Sequence, residues 1–192
     1  MLVHTSQEDP TEMNTNEWLY QNNVANTLRY VLGEKSENMV ACIGINPSTA
    51  EPNALDNTLK SVKRIAQFNG FDGWVMYNLY PQRATDPNEL HHEIDEGLHL
   101  KNIEILRQSI QDLGIDTVWL AYGDLIESRN YLPYCLLSLY TYLRPLELKW
   151  KIIAEPTQKG HPRHPLYKPS HSSFVDFDLD NYMNEKLKLQ TT

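Results

Sequence analysis

A chain of 192 residues, 41% of them hydrophobic, can bury one substantial core, and a 22% share of charged residues is ordinary for a water-facing domain. The net charge of -8 argues against tight nonspecific duplex binding, which needs many Lys and Arg contacts to phosphate, although a local basic surface is compatible with it. No apolar run approaches a membrane span, residues 1–17 lack the basic and apolar regions of a signal peptide, and Cys42 and Cys135 read as buried thiols, so a cytoplasmic protein is expected.

Residues 1–28 hold Glu8, Asp9, Glu12 and Glu17 with no Lys or Arg, and are expected to be a flexible acidic segment. Residues 29–192 read as a single α/β domain. Arg29 to Leu32 is a short strand candidate ending at Gly33. Met39 to Ile45 is a nearly continuous apolar run, the pattern of a strand buried on both faces. Asp56 or Asn57 can cap a helix to Phe68, with Leu59, Val62, Ile65 and Ala66 at helical spacing. Trp74 to Tyr80 is a second buried strand. His99 to Leu113 has a helical stripe and a glycine stop at Gly114. Thr117 to Tyr122 is a third strand, Leu125 to Leu143 reads as a helix interrupted at Pro133, and Lys149 to Ala154 is a fourth strand. A weak helix is expected near Asn181 to Leu187.

Four buried strands alternating with helices predict a three-layer domain around a central, mostly parallel, four-stranded sheet. Ligands in such sheets sit beyond the carboxyl ends of the strands. Those ends carry Asn46-Pro47-Ser48, Asn78-Leu79-Tyr80, Tyr122-Gly123-Asp124 and the loop from Glu155 to His164.

Several side chains there are candidates for chemistry. Asn46 is held extended by Pro47 and offers both a donor and an acceptor, enough to orient a water or meet a base edge; the plain alternative is a turn asparagine. Asp56 is a helix cap that can also polarise a water near Asn46. Asn78 ends the next strand and can read a planar heterocycle, with Tyr77, Tyr80 or Tyr122 to stack on it. Ser48 is a candidate substrate contact, and no G-x-S-x-G elbow supports it as a nucleophile. Arg83 is either a surface arginine or an anchor for an anion or carbonyl. In "TQKGHPRHPLYKPSH", residues 157–171, Lys159, Arg163 and Lys168 accompany three histidines and no acid. His161 and His164 lack neighbouring metal-ligand partners, so no metal is expected, and a histidine donor to a developing anion fits better. The eight glycines form neither G-x-G-x-x-G nor a P-loop, so no nucleotide cofactor is expected.

"RYVLG", "IGINPSTA", "LDNT", "YNLYPQRATDP", "AYGD" and "GHPRHPLY" resemble, in order and spacing, the uncharacterised domain-of-unknown-function family 1643 over roughly residues 29–169. More distantly, "GINPS" resembles the G-I-N-P-G motif of the mismatch-specific branch of the uracil-DNA glycosylase superfamily, "WVMYNLYPQRA" is similar to that superfamily's strand ending in an asparagine, and "HPRHPLY" is similar to its H-P-S-P-L-S loop. That resemblance implies a glycosylase-like fold, with Asn46 holding the attacking water and Asn78 reading the uracil edge. It further implies that His161 or His164 stabilises the departing base and that Leu166 wedges into a duplex. The sequence departs from the motif at Ser48, where the superfamily has glycine, and it repeats His-Pro. The expected activity is hydrolysis of an N-glycosidic bond in DNA or a nucleotide; the alternative is a module that binds a nucleotide or modified base without turnover.

Overall fold

The computed structural model describes residues 17–190, so of the flexible acidic segment expected over residues 1–28, residues 1–16 lie outside the described residues, while the rest includes a strand, Glu17–Asn22. The strands form one mixed, seven-stranded sheet in the order β1-β2-β4-β3-β5-β6-β7. They are β1 Glu17–Asn22, β2 Arg29–Lys35, β3 Met39–Gly44, β4 Gly73–Asn78, β5 Thr117–Leu120, β6 Lys149–Ile153 and β7 Phe174–Asp176. The helices are α1 Asn57–Phe68, α2 Glu96–Asp112 and α3 Leu132–Leu143, followed by a short helical turn at Leu179–Asn181.

The expected four-stranded sheet is therefore too small. Its four strands, β3 to β6, do form a parallel core. Antiparallel strands extend it on both sides: β2 beside β4, β1 beside β2, and β7 beside β6. These edges lack the continuous apolar run of a buried strand, since β1 is exposed or half-buried throughout and β7 is three residues long. The strand expected to stop at Gly33 continues to Lys35. A Cβ at Gly33 would come within 2.3 Å of the Trp74 carbonyl oxygen, so glycine permits the close approach to β4 that keeps β2 in the sheet.

Alternation along the central strands divides the core in two. Ala41, Ile43, Val75, Tyr77, Val118 and Leu120 join the cluster that includes α2 and α3 residues. Val40, Cys42, Trp74, Met76 and Trp119 join the cluster that includes Leu59, Val62, Ile65 and Ala66 of α1. The three layers follow from this. Cys42 and Cys135 are both buried and unbonded, one in each cluster.

Helix boundaries follow local chemistry. Asp56 caps α1 by accepting from Leu59 N at 2.9 Å. The helix expected from His99 begins earlier, at Glu96, because Asp95 caps it through Leu98 N. The segment 125–143, expected as a helix interrupted at Pro133, is a 3₁₀ turn, Gly123–Glu127, and then α3, which restarts at Leu132 with Pro133 in its first turn, where a missing N–H costs nothing. The C-terminal helix expected near Asn181 to Leu187 begins slightly earlier, at Leu179, and continues over Tyr182–Lys186 as a widened π-type turn, closed by Leu187 N donating to the Tyr182 carbonyl at 3.1 Å. Among the described residues, no helix is long and apolar enough to cross a membrane.

From β3 the chain passes to α1 on one face, whereas from its neighbours β4 and β5 it passes to α2 and α3 on the other. Adjacent parallel strands that send their chains to opposite faces open a crevice at their carboxyl ends.

Candidate functional site

A cavity of about 290 Å³ lies in that crevice. Asn46 and Ser48 enter it from the loop after β3, Asp56 and Thr58 from the start of α1, and Asn78 from the tip of β4. Leu125 comes from the turn after β5, and His164 and Leu166 from the loop after β6. Asn46, Ser48, Asp56, Asn78, His164 and Leu166 were all expected at one site from the sequence, and they line this one cavity.

Asn78 is 1% exposed, and neither its Oδ1 nor its Nδ2 has a hydrogen-bond partner in the protein. A buried amide left unpaired is costly, typically about 1–3 kcal/mol for each group. Gly44 makes room for it: a Cβ there would lie 2.5 Å from Met76 Cε and 3.0 Å from Asn78 Oδ1. The backbone beneath is held by Asn102, whose Nδ2 donates to the Asn78 carbonyl at 2.8 Å.

Asn46 is oriented by two carbonyls. Its Nδ2 donates to Ala84 O at 2.7 Å and to Pro47 O at 3.2 Å. Because the nitrogen must face these acceptors, the amide oxygen is the end left for a ligand or water. Asp56 accepts from Leu59 N through one oxygen and from the Ser48 hydroxyl through the other. Ser48 thus ties the loop after β3 to the start of α1.

His164 has a defined tautomer. Leu166 N donates to His164 Nδ1 at 3.2 Å, which makes Nδ1 the acceptor and leaves the proton on Nε2. Burial lowers the pKa of this histidine below its ordinary value; nearby Asp56 opposes the shift and Lys168 adds to it. The neutral ring is therefore favoured at neutral pH, as an N–H donor without a charge. Gly123 carries the loop: its φ is +62°, its N–H donates to Pro162 O at 2.9 Å, and a Cβ there would sit 3.1 Å from His164 Cβ.

The other expected residues lie outside the cavity. His161 is fully buried, with Nδ1 2.7 Å from the Tyr182 hydroxyl and Nε2 2.9 Å from Glu127. Of the two His-Pro histidines, His164 is the one that lines the cavity. Arg83 donates to Ser48 O at 2.6 Å and to the Tyr20 hydroxyl at 2.8 Å, and its guanidinium is 3.8 Å from Glu51, so it clamps the loop after β3 from behind. Tyr80, like Tyr77 and Tyr122, packs in the α2 and α3 core, with its hydroxyl 2.8 Å from His91 Nδ1. Tyr77 faces away from the cavity because strand side chains alternate and Asn78 faces it. Apolar contact in the cavity comes instead from Ile45, Leu59, Met76, Leu125 and Leu166.

Among the lining residues that were not site candidates from the sequence, the charged one is Arg29, at the start of β2. Leu32 pairs with Met76, whereas Leu28 bridges to Gln82, so the facing segment is two residues longer than the β2 segment between these pairings. Arg29 enters the cavity at this irregularity, while Tyr30 and Val31 pack in the opposite core.

The family described as "Protein of unknown function (DUF1643)" matches residues 29–166, and the chain belongs to it. No curated protein matches the chain.

Proposed function

We propose that this DUF1643 protein binds a nucleobase, in DNA or in a nucleotide, and hydrolyses its N-glycosidic bond. The observation that carries the reading is Asn78, whose buried amide offers an unpaired donor and an unpaired acceptor side by side in the cavity. The edge of a pyrimidine or purine presents the complementary pair, and pairing with it removes the cost of burying the amide alone. The cavity volume is at the lower end for small-molecule sites, which suits a single heterocycle. The distant resemblance of "GINPS" and "HPRHPLY" to the uracil-DNA glycosylase superfamily points the same way.

In this reading a water held at Asn46 Oδ1 attacks the sugar carbon. The C–N bond breaks and its electron pair leaves with the base. The His164 Nε2–H donates a hydrogen bond to the base oxygen where negative charge accumulates. A neutral N–H donor held in place by its bond from Leu166 N suits that task. Asp56 stabilises positive charge developing on the sugar, and the proton lost by the water passes to solvent. A base within duplex DNA must first be flipped out of the stack, with Leu166, half-buried in the cavity wall, to fill the gap.

A second reading, a binding module without turnover, is favoured by one observation: both Asp56 oxygens already accept hydrogen bonds, from Leu59 N and from Ser48. The two are separated by calorimetry with nucleobases and nucleosides, alongside free-base release from uracil, mismatch and modified-base oligonucleotides at low salt. Release that is lost in Asn46→Ala and His164→Ala supports the enzyme. Binding without release supports the module, and neither binding nor release contradicts both.

A further inference from the structure

We propose that Arg29 is the counter-ion for an oxyanion on the bound molecule, so that the cavity selects an anionic ligand over its neutral analogue. Arg29 is 3% exposed, yet no carboxylate lies within ion-pair distance of it among the described residues. Its Nη1 donates to the Ala50 carbonyl at 2.8 Å, and its Nε has no partner. Glu34, the other buried ionic side chain, pairs with Lys63 at 2.7 Å.

Charges taken from water without a partner are strongly disfavoured, so an unpaired buried guanidinium in a cavity wall points to a partner supplied from outside. Arg83 adds to the local positive potential, while Asp56 and Glu51 offset part of it. Burial and Arg83 hold the Arg29 pKa down to about 10, which leaves the group charged at neutral pH. Charge-assisted bonds from a guanidinium to a carboxylate or phosphate are the strong class of protein hydrogen bonds. Asn78 and Arg29 line the same cavity, so one molecule can present a heterocycle edge to the first and an oxyanion to the second. The oxyanion has two possible sources, a carboxylate on the ring or a phosphate on the attached sugar.

This inference rests on the nucleobase reading but is tested separately from it. Calorimetry at pH 7 and low salt compares two matched pairs on the full chain, uracil with orotate and uridine with uridine 5′-monophosphate, and adds inorganic phosphate alone. The expected result is that the charged member of at least one pair binds about tenfold tighter or more than its neutral partner. That preference disappears in Arg29→Met and persists in Arg29→Lys. The pair that shows it identifies carboxylate or phosphate as the source. Because removing an unpaired buried charge offsets the loss of its hydrogen bond to the Ala50 carbonyl, Arg29→Met without ligand is expected to melt no lower than wild type. Equal affinities within both pairs overturn the anion site while leaving the nucleobase reading intact. Arg29-dependent phosphate binding with no affinity for any base supports the anion site and sinks the nucleobase reading. If Arg29→Met does not fold, Arg29 is structural, and equal wild-type affinities then overturn the inference on their own.

Discussion

Asn78→Leu is a stringent perturbation of this site, because leucine replaces the amide oxygen and nitrogen with two methyl groups in nearly the same volume. Both amide atoms are buried and unpaired in the protein, and each such group typically costs about 1–3 kcal/mol. Local relaxation recovers part of this, so a net gain of about 1–3 kcal/mol in the free protein is the working figure. For a domain of this size that corresponds to a rise in Tm of roughly 2–12 °C. The same substitution should remove measurable nucleobase binding, as Asn78→Ala should weaken it by about 1–3 kcal/mol. The assay is thermal unfolding followed by circular dichroism, paired with calorimetric titration of uracil, cytosine and the purines. A fall in Tm of similar size would refute the reasoning, since it would mean that the amide supports the fold. This opposition, better stability with lost binding, is the mark of a group kept for function at a cost to the fold.

Gly44→Ala should depress base binding and lower Tm, because its Cβ would press on both Met76 and the Asn78 amide; the same titration and melt report it. Gly123→Ala should impair base release more than base binding, since the strained φ and the contact with His164 Cβ displace the donor rather than the Asn78 edge; single-turnover kinetics against calorimetry separates the two. If release occurs, removing the His164 donor should cost about 10²–10³ in rate. With its pKa lowered by burial, His164 stays neutral below the ordinary histidine range. The acid limb of a pH–rate profile should therefore fall below pH 6.5, and a limb above it would contradict the assignment. Glu127 is held down to about 2 by Lys159 and His161, so its contribution to stability is present above its ordinary value of 4.5 and is lost as pH falls towards 2. Glu127→Gln should flatten that acid dependence in melts taken across the range, by a small amount because the carboxylate is 43% exposed.

The parallel core was legible because strands buried on both faces must be apolar throughout, and β3, β4 and β5 are buried at every position. Asp56 was legible as a cap because its chemistry is local. The sheet edges were not, since β1 exposes Glu17, Gln21 and Asn22 and its apolar residues are only half-buried. Nor does an isolated apolar run reveal whether its partner runs parallel or antiparallel. At the site, convergence of strand tips follows from topology alone, so Asn46 and Asn78 could be grouped without coordinates. The choice between His161 and His164 depends on Tyr182 and Glu127, which are remote in sequence. Whether Arg83 was a surface arginine or an anchor for an anion or carbonyl was open because the acceptors it clamps, Ser48 O and the Tyr20 hydroxyl, are also distant in sequence. Arg29 escaped notice because only the offset between β2 and the segment after β4 brings it into the cavity.

The central claim is that the paired donor and acceptor of Asn78 read a nucleobase edge, and a crystal soaked with nucleobases and nucleotides tests it most directly. The expected result is a planar heterocycle in the cavity, with Asn78 Nδ2 and Oδ1 both within hydrogen-bond distance of its edge and His164 Nε2 facing a carbonyl oxygen of the base. A base bound elsewhere, or a cavity ligand that leaves both Asn78 atoms unpaired, would contradict it.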